Sequence, residues 1–420
     1  MKKESGDKNV SRYFTCNGVN ATHIRFVYSV DDVAQRDLPS YKPTHCHQVY
    51  NSDETIFGYR SLSVDIYYNA LTMNCLLDIR YLKKVKEDAH TKADNIEKML
   101  SPWLPKGYTK DKKKFVTKMQ KQNSKLLGVV RESFRKNIAG RGRCDFKITE
   151  IDTNDPDFRD LHQRFQSVIV WYIDAASFID LSDPKWLIFY LYEYRNREYY
   201  PVGFCTIYQF YKHPGKIRAR ISQFLILPSH QRAGLGTRLL KAVYRTFWER
   251  QNIADITVED PSLGFQRMRD IVDCNLLCEL YQFSNLYVLK HTFCRNTAES
   301  AENRYKICFQ QCRRIYEILN LCYAGNRPKF LTEWCRRVKQ RLKWPYERDM
   351  RVFKRKNFGF YHKSLLNQRP LYAKPSEVID KQFKKYLDEI FPIVLKLEKM
   401  NGGEVVKYPS VVRRIWTRML

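Results

Sequence analysis

Acidic residues are scarce in this chain of 420: 45 Asp+Glu stand against 74 Lys+Arg, a formal net charge of +29. That deficit suits an acidic partner such as nucleic acid or an anionic surface, and it suits a polyanionic cofactor, although one cofactor would use only a handful of the charges. It is uneven, with 28 Lys+Arg and 11 Asp+Glu from Ala301 to Leu420. No apolar run approaches the roughly 18 residues of a membrane-spanning helix, so such a span is excluded. The opening string Met1-Lys-Lys-Glu-Ser-Gly-Asp-Lys has no apolar segment, and no secretory signal is expected. The 12 cysteines lack a framework of short spacings and read as reduced thiols, which implies the cytosol or nucleus. Internal repeats and low-complexity segments are also missing, which excludes a solenoid. What is present, 44% hydrophobic and 14% aromatic residues, suffices for a sizeable core and excludes wholesale disorder. The length suits two or three domains.

Two cysteine pairs at i, i+4 spacing, Cys274 with Cys278 and Cys308 with Cys312, would each share one face of a helix. Structural zinc sites use tighter C-x-x-C spacing with a matching second pair. Cys308 and Cys312 interleave with Ile307, Ile315, Ile318 and Leu319, the pattern of a buried helix face, so core thiols are expected and no metal.

The chain divides into three expected parts. Residues 1–150 are β-rich, with strand-like runs at Ile24-Arg-Phe-Val-Tyr, Leu62-Ser-Val-Asp-Ile-Tyr-Tyr and Cys75-Leu-Leu-Asp-Ile-Arg-Tyr. From Lys83 to Lys125 the charge density suggests solvated helices and loops; Gly140-Arg-Gly-Arg reads as a turn and Cys144 to Ile151 as a strand. Residues 151–295 show a helical apolar pattern from Phe158 to Phe178. Strands are expected at Trp186 to Glu193, Val202 to Phe210, Arg220 to Leu227 and Ala254 to Val258, with a helix from Thr237 to Glu249. Residues 296–420 are basic and helical, including Tyr305 to Cys322, Phe330 to Lys343 and Glu377 to Met400. Phe353-Lys-Arg-Lys-Asn is short enough to be either a nuclear-import patch or a solvated surface.

The most informative string runs from Ile221 to Leu240. It joins a strand to a helix through Gln231-Arg-Ala-Gly-Leu-Gly. A glycine turn that feeds a helix amino terminus presents unpaired N–H groups and the positive end of the helix dipole, a geometry that binds phosphate oxygens. Gly234 and Gly236 leave room for the backbone to approach a pyrophosphate. A dinucleotide fold wants a third glycine where Leu239 stands, and a P-loop wants Gly-Lys-Ser/Thr, which is absent. A plain strand–helix turn remains the bland alternative.

The Q-x-x-G-x-G form of that string, behind such a strand, resembles the acetyl-coenzyme A loop of the GNAT acetyltransferases. More narrowly, the chain resembles the catalytic subunit of type B histone acetyltransferase. The resemblance rests on Ser52-Asp-Glu-Thr-Ile-Phe-Gly-Tyr, Trp171-Tyr-Ile-Asp-Ala-Ala-Ser-Phe-Ile-Asp, Ser222-Gln-Phe-Leu-Ile-Leu with its glycine turn, Asp255-Ile-Thr-Val-Glu-Asp-Pro-Ser, and Arg313-Arg-Ile-Tyr-Glu-Ile-Leu. It implies a mixed α/β, α+β chain: an amino-terminal β-rich domain, a central GNAT-fold acetyl-CoA domain with a mixed sheet, and a helical carboxy-terminal region. The implied reaction moves acetyl from acetyl-CoA to a lysine of the free, newly made histone H4 tail. Expected with it are a WD40-type histone-binding partner, nuclear and cytoplasmic residence, and no membrane.

A lysine amine with a pKa near 10.4 is almost wholly protonated at neutral pH, so attack on a thioester needs a base within reach. Direct transfer needs no protein nucleophile. By resemblance Glu259 is the leading base, with Asp174 and Asp260 as further candidates; Asp174 stands where the family usually has Glu. Adjacent carboxylates such as Glu259 and Asp260 repel one another, which favours proton uptake by one of them. Cofactor contacts are implied from Phe224, Leu225 and Ile226 and from Gln231, Arg232, Ala233, Gly234, Leu235, Gly236 and Thr237. Substrate contacts are implied from Asp53, Glu54, Trp186 and Tyr208: carboxylates suit a lysine-rich tail, and aromatic walls suit lysine stems. A net charge of +29 repels a basic substrate at long range, so local acids must make the groove negative. The rival expectation is a divergent relative with weak or no catalysis, serving as a basic module for nucleic acid or histone complexes.

Overall fold

Alternating aromatic and β-branched residues give this chain its longest strands, and those strands carry the glycine turn. The computed structural model describes residues 13–35, 37–86, 91–121, 125–284, 286–289, 291–324, 327–356 and 375–400. The polar tail at 1–12 and the side chains of the basic string at 353–357 lie outside the described residues. The chain forms two compact units, Met1–Glu249 and Arg250–Leu420.

In the first unit, β1 (Thr22–Val27) runs parallel to β2 (Ser63–Asn69), which pairs antiparallel with β3 (Cys75–Arg80). The central strand buries Asp65, held by Arg25 Nε at 2.9 Å and Arg80 Nη2 at 2.6 Å. Two guanidinium groups and the Ser63 hydroxyl outweigh the burial that opposes ionisation, so the Asp65 carboxyl stays below its ordinary pKa.

An antiparallel meander follows: β4 (Val129–Ile138), β5 (Gly142–Ile151), β6 (Trp186–Arg195), β7 (Glu198–Lys212) and β8 (Lys216–Ile226), each paired with the next. Between β5 and β6 lies helix α1 (Pro156–Phe165). Asp155 caps it by accepting from the Asp157 N–H, and Pro156 occupies a first-turn position where a missing N–H costs nothing. Phe158, Leu161, His162 and Phe165, at helical spacing, form its buried face. They pack on β6 and β7, with the Phe165 and Phe204 ring centroids 5.0 Å apart. Helix α2 (Leu235–Trp248) buries Leu239, Leu240, Val243, Tyr244 and Phe247; its Arg238 and Arg245 both reach Glu132 on β4.

The second unit opens with β9 (Ile253–Val258) and α3 (Leu263–Leu277) and continues in helices, the longest being α4 (Phe309–Ala324), α5 (Pro328–Lys356) and α6 (Pro375–Met400). Ile256 donates its N–H to Lys306 O at 2.7 Å. Gln311 Nε2 bridges Asp270 and Asp273 at 2.9 Å each, and Arg314 Nε holds Asp270 at 2.9 Å, so the buried carboxylates between α3 and α4 are partnered.

Three local expectations change. The pattern from Phe158 to Phe178 is not one helix: α1 ends at Phe165, a tight 3₁₀ segment spans Gln166–Trp171, and a loop follows. All six residues of Gln166–Trp171 are buried, so the stretch has no polar face to impose a period of 3.6. The run from Tyr305 to Cys322 breaks at Lys306, whose φ of +58° ends one helix before α4 begins. Cys308 therefore sits in the break rather than on a helix face with Cys312, while Cys312 and Cys274 are wholly buried. Strand β4 was not anticipated, because its side chains are charged and largely exposed.

Candidate active site

Strand β8 ends at Ile226 and the chain turns through Pro228–His230 into the glycine segment. A register shift and a close backbone approach shape the strands beneath. Ser222 is the extra residue on β8 between Ile221, opposite Ile207, and Gln223, opposite Thr206. At Gly203 on β7, a Cβ would lie 2.6 Å from Leu225 O and 2.7 Å from Ile226 Cδ1. Only glycine lets the strand bearing Leu225 and Ile226 pass so near.

The turn itself is held from both ends. Gln231 Nε2 donates to Ile226 O at 2.9 Å. Gly234, with φ +73°, is the N-cap of α2 and offers no side-chain cap, which leaves the first-turn N–H groups to an external acceptor. Arg232 is also left-handed, with φ +61°. A Cβ at Gly234 would lie 3.2 Å from Lys136 Nζ, so this lysine from β4 reaches over the turn. Bare backbone donors beside an ammonium group fit a pyrophosphate. Beneath them, Arg141 Nη2 bonds Ser229 O, and His230 is wholly enclosed. His230 Nε2 lies 2.8 Å from Glu193 Oε2, and Ser229 Oγ 2.8 Å from His230 Nδ1. Burial lowers the His230 pKa, and Nε2 faces both Glu193 Oε2 and Arg141 Nη1 at 2.8 Å. Although burial opposes its ionisation, the His230 bond and the positive charge of Arg141 hold the Glu193 carboxyl below its ordinary range.

A second cluster lies on the amino-terminal loops of the same unit. Glu54, with φ +55°, accepts from the Cys46 N–H at 2.6 Å. His47 stands between two acids, its Nε2 3.3 Å from Asp174 Oδ1 and its Nδ1 3.9 Å from Glu54 Oε1. Asp53 is exposed, its N–H bonded to Asn51 Oδ1 at 3.0 Å. Trp186 and Tyr208 face each other across β6 and β7 with ring centroids 4.9 Å apart, and Tyr208 donates to Asp183 at 2.9 Å, which raises the phenol pKa. The Asp174 loop is tied to its surroundings by Gln223 Nε2 to Ser177 O at 2.7 Å and Gln48 Nε2 to Ala176 O at 3.1 Å.

Glu54 and Asp174 are thus linked through His47, Trp186 and Tyr208 form one aromatic corner, and Phe224 through Thr237 make a continuous strand, turn and helix start. Glu259 and Asp260 belong to the second unit, exposed at the end of β9, with Asp260 at φ +32°. Lys136, Arg141 and His47 escaped the sequence reading. The charged strand and the Gly140-Arg-Gly-Arg turn marked the neighbourhood of the first two but not their targets.

A strand and glycine turn of this kind, opening a helix whose first N–H groups are bare, define an acetyl-CoA-dependent acetyltransferase of the GNAT class. Residues 148–267 match the acetyltransferase (GNAT) family. Residues 14–174 match the family described as histone acetyl transferase HAT1 N-terminus, and 269–321 the histone acetyltransferase type B catalytic subunit, C-terminal. The histone acetyltransferase type B catalytic subunit of Schizosaccharomyces pombe is 32% identical over 270 residues, covering 63% of this chain and 67% of the relative. Those of Rattus norvegicus and Homo sapiens are each 29% identical, covering 94% of this chain and 96% of the relative. The chain belongs to the family of type B histone acetyltransferase catalytic subunits. Among solved structures, an aminoglycoside acetyltransferase from a soil metagenomic sample, bound to sisomicin, is 20% identical with a TM-score of 0.23, covering 30% of this chain and 83% of that one; so slight a likeness carries no argument. Among the described residues, no helix is long and apolar enough to cross a membrane.

Proposed function

We propose that the chain acetylates a lysine of free, newly synthesised histone H4, with the tail lying along the acidic and aromatic surface of the first unit. The carrying observation is the pairing of Glu54 and Asp174 through His47, which concentrates negative charge on a molecule of net charge +29. Asp53 and Glu54 attract the lysine-rich tail at short range, and Trp186 and Tyr208 flank lysine stems. Phe224, Leu225 and Ile226 offer strand backbone to the pantetheine amides. Gln231 through Thr237, with Lys136, hold the phosphates.

Acetyl-CoA supplies the acyl group as an activated thioester. Glu259, at the end of β9, takes the proton from the substrate ammonium, directly or through water. The freed amine attacks the thioester carbon, the C–S bond breaks as the N–C bond forms, and the nitrogen's surplus proton passes to the departing thiolate to give free coenzyme A thiol. Asp174 and Asp260 are secondary acids in this scheme; His47 Nε2, 3.3 Å from Asp174 Oδ1, supports a role for that carboxylate in orienting substrate rather than in abstracting the proton. In this reading residues 1–150 form the substrate-side β-rich domain, 151–295 the GNAT acetyltransferase domain and 296–420 the basic helical region. A WD40-type histone-binding subunit, residence in nucleus and cytoplasm, and nucleic-acid contact through the basic carboxy-terminal region complete the proposal.

The test is transfer of labelled acetyl to histone H4 and its tail peptide by wild type and Glu259→Gln. The variant should lose about a hundredfold or more in turnover while its acetyl-CoA affinity stays nearly unchanged. Equal turnover in the variant would remove Glu259 as the base, and no labelling by either protein would remove the acetyltransferase reading of the substrate.

A further inference from the structure

The helices of the second unit line an open cavity of about 1210 Å³ that takes no part in acetyl transfer as proposed above. Six arginines line it: Arg313 and Arg314 from α4, and Arg336, Arg337, Arg341 and Arg348 from α5. Among the described residues, Glu333, Glu317, Asp270 and Glu389 pair with four of them. Arg336 and Arg337 share one carboxylate, Glu333, with N–O distances of 2.7 Å. Arg341 is held by Glu317 at 2.6 and 2.9 Å, and Arg314 by Asp270 and Glu389. Arg313 forms no ion pair among the described residues. It is half-buried, its Cζ 4.8 Å from the Phe309 ring centroid and 5.5 Å from that of Phe293. Burial pulls its pKa down, against the opposing charge of Glu317, which Arg341 already engages. At the cavity wall Trp344 is 59% exposed, with Arg348 Cζ 5.9 Å from its ring centroid.

The chemistry selects among anions. A small phosphate or a polyphosphorylated polyol would satisfy the arginines but leave the exposed indole idle. An acidic peptide presents carboxylates and no planar partner for Trp344. A single nucleic-acid strand offers both, with phosphates for forked guanidinium groups and bases for a ring platform. The volume exceeds the roughly 300–1,000 Å³ of small-ligand clefts, as an oligomeric ligand requires. A duplex keeps its bases stacked inside and could not use Trp344. We propose that this cavity binds a short single-stranded nucleic acid, with Arg313 meeting a phosphate and Trp344 stacking on a base. The proposal deepens the nucleic-acid partner reading and is independent of acetyl transfer.

The experiment is fluorescence anisotropy of a labelled twelve-nucleotide oligothymidylate and oligouridylate with the full-length protein, across a salt series. Competitors are a duplex of the same length, inositol hexakisphosphate and a polyglutamate peptide. Trp344→Ala, on an exposed side chain that the fold does not need, should weaken single-strand binding about fivefold or more. Arg313→Ala should weaken it comparably and reduce the salt slope by about 0.7 for the lost phosphate contact. Lys112→Ala with Lys114→Ala, on an exposed basic helix of the first unit, should leave affinity unchanged and so separate this site from general charge attraction. Wild-type binding unaffected by Trp344→Ala would overturn the proposal, even if Arg313→Ala proved unstable. So would duplex or polyglutamate competing as well as the single strand. Absence of any binding would overturn the partner reading along with the site.

Discussion

His162 should make the first unit sensitive to mild acid, by an amount that follows from its burial. The ring is wholly enclosed between α1 and the meander, stacked on Phe158 at 5.3 Å and edge-on to Phe204 at 5.2 Å. Its Nδ1 lies 2.7 Å from the Tyr190 hydroxyl, while its Nε2 has no hydrogen-bond partner among the described residues. Protonation would add a charge and require a donor on each nitrogen, so burial lowers the pKa from 6.5 to about 3. The unfolded chain therefore binds the proton first as pH falls. The stabilising effect of the neutral ring is complete above about pH 6.5 and is lost between there and about 3, at about 1.4 kcal/mol per pH unit. Between pH 7.5 and 5.0 that amounts to about 2 kcal/mol. Urea unfolding followed by tryptophan fluorescence at the two pH values measures it. His162→Phe keeps a ring of similar size in an aromatic pocket and titrates nothing. It should lower stability at pH 7.5 by about 1 kcal/mol for the lost Tyr190 bond and cut the pH-dependent loss by about 2 kcal/mol. His230 adds a loss of the same sign in both proteins and cancels in the comparison. An unchanged pH dependence in His162→Phe would refute the assignment of the slope to this ring.

Other perturbations test the site piece by piece. Gly203→Ala places a methyl 2.6 Å from Leu225 O; melting should show a loss of about 1–3 kcal/mol, and calorimetry should show weaker coenzyme A binding. Lys136→Ala should weaken coenzyme A binding about three- to tenfold, with a shallower salt dependence than wild type, since a half-buried, partly solvated ammonium on a phosphate contributes modestly. Trp186→Ala should raise the KM for the H4 tail peptide severalfold while leaving the KM for acetyl-CoA in place, and the reverse pattern would place the indole on the cofactor side.

The glycine turn was legible because its information is local: a strand of apolar residues, Gln231, two glycines and an amphipathic helix occur within one stretch of 28 residues, Ile221 to Trp248. The strands of the meander were legible for the same reason wherever aromatic and β-branched residues dominate, as from Trp186 to Glu193. Strand β4 was not, since Arg131, Arg135 and Lys136 carry no hydrophobic alternation. What makes it a strand is its register with β5, including the ion pair of Arg135 with Asp145 directly opposite. The reach of Lys136 to Gly234 and of Arg141 to Glu193 depends on that pairing across about a hundred and about fifty residues respectively, and no local pattern encodes either. His47 was passed over because its meaning lies in Asp174, 127 positions away, which the sequence could mark as acidic but not as its neighbour. Gln166–Trp171 misled because complete burial erases the periodicity from which a helix is read.

Strand β4 closes the end of the five-strand meander, and its outward backbone groups meet no further strand among the described residues. A second copy of the chain docking along it would have to bring two rows of guanidinium and ammonium groups together, which insulates the sheet against end-to-end polymerisation. The same strand supplies Lys136, from its other face, to the glycine turn. Solubility and phosphate capture therefore draw on one strand, and a change that disrupts its pairing would weaken cofactor binding and invite aggregation together.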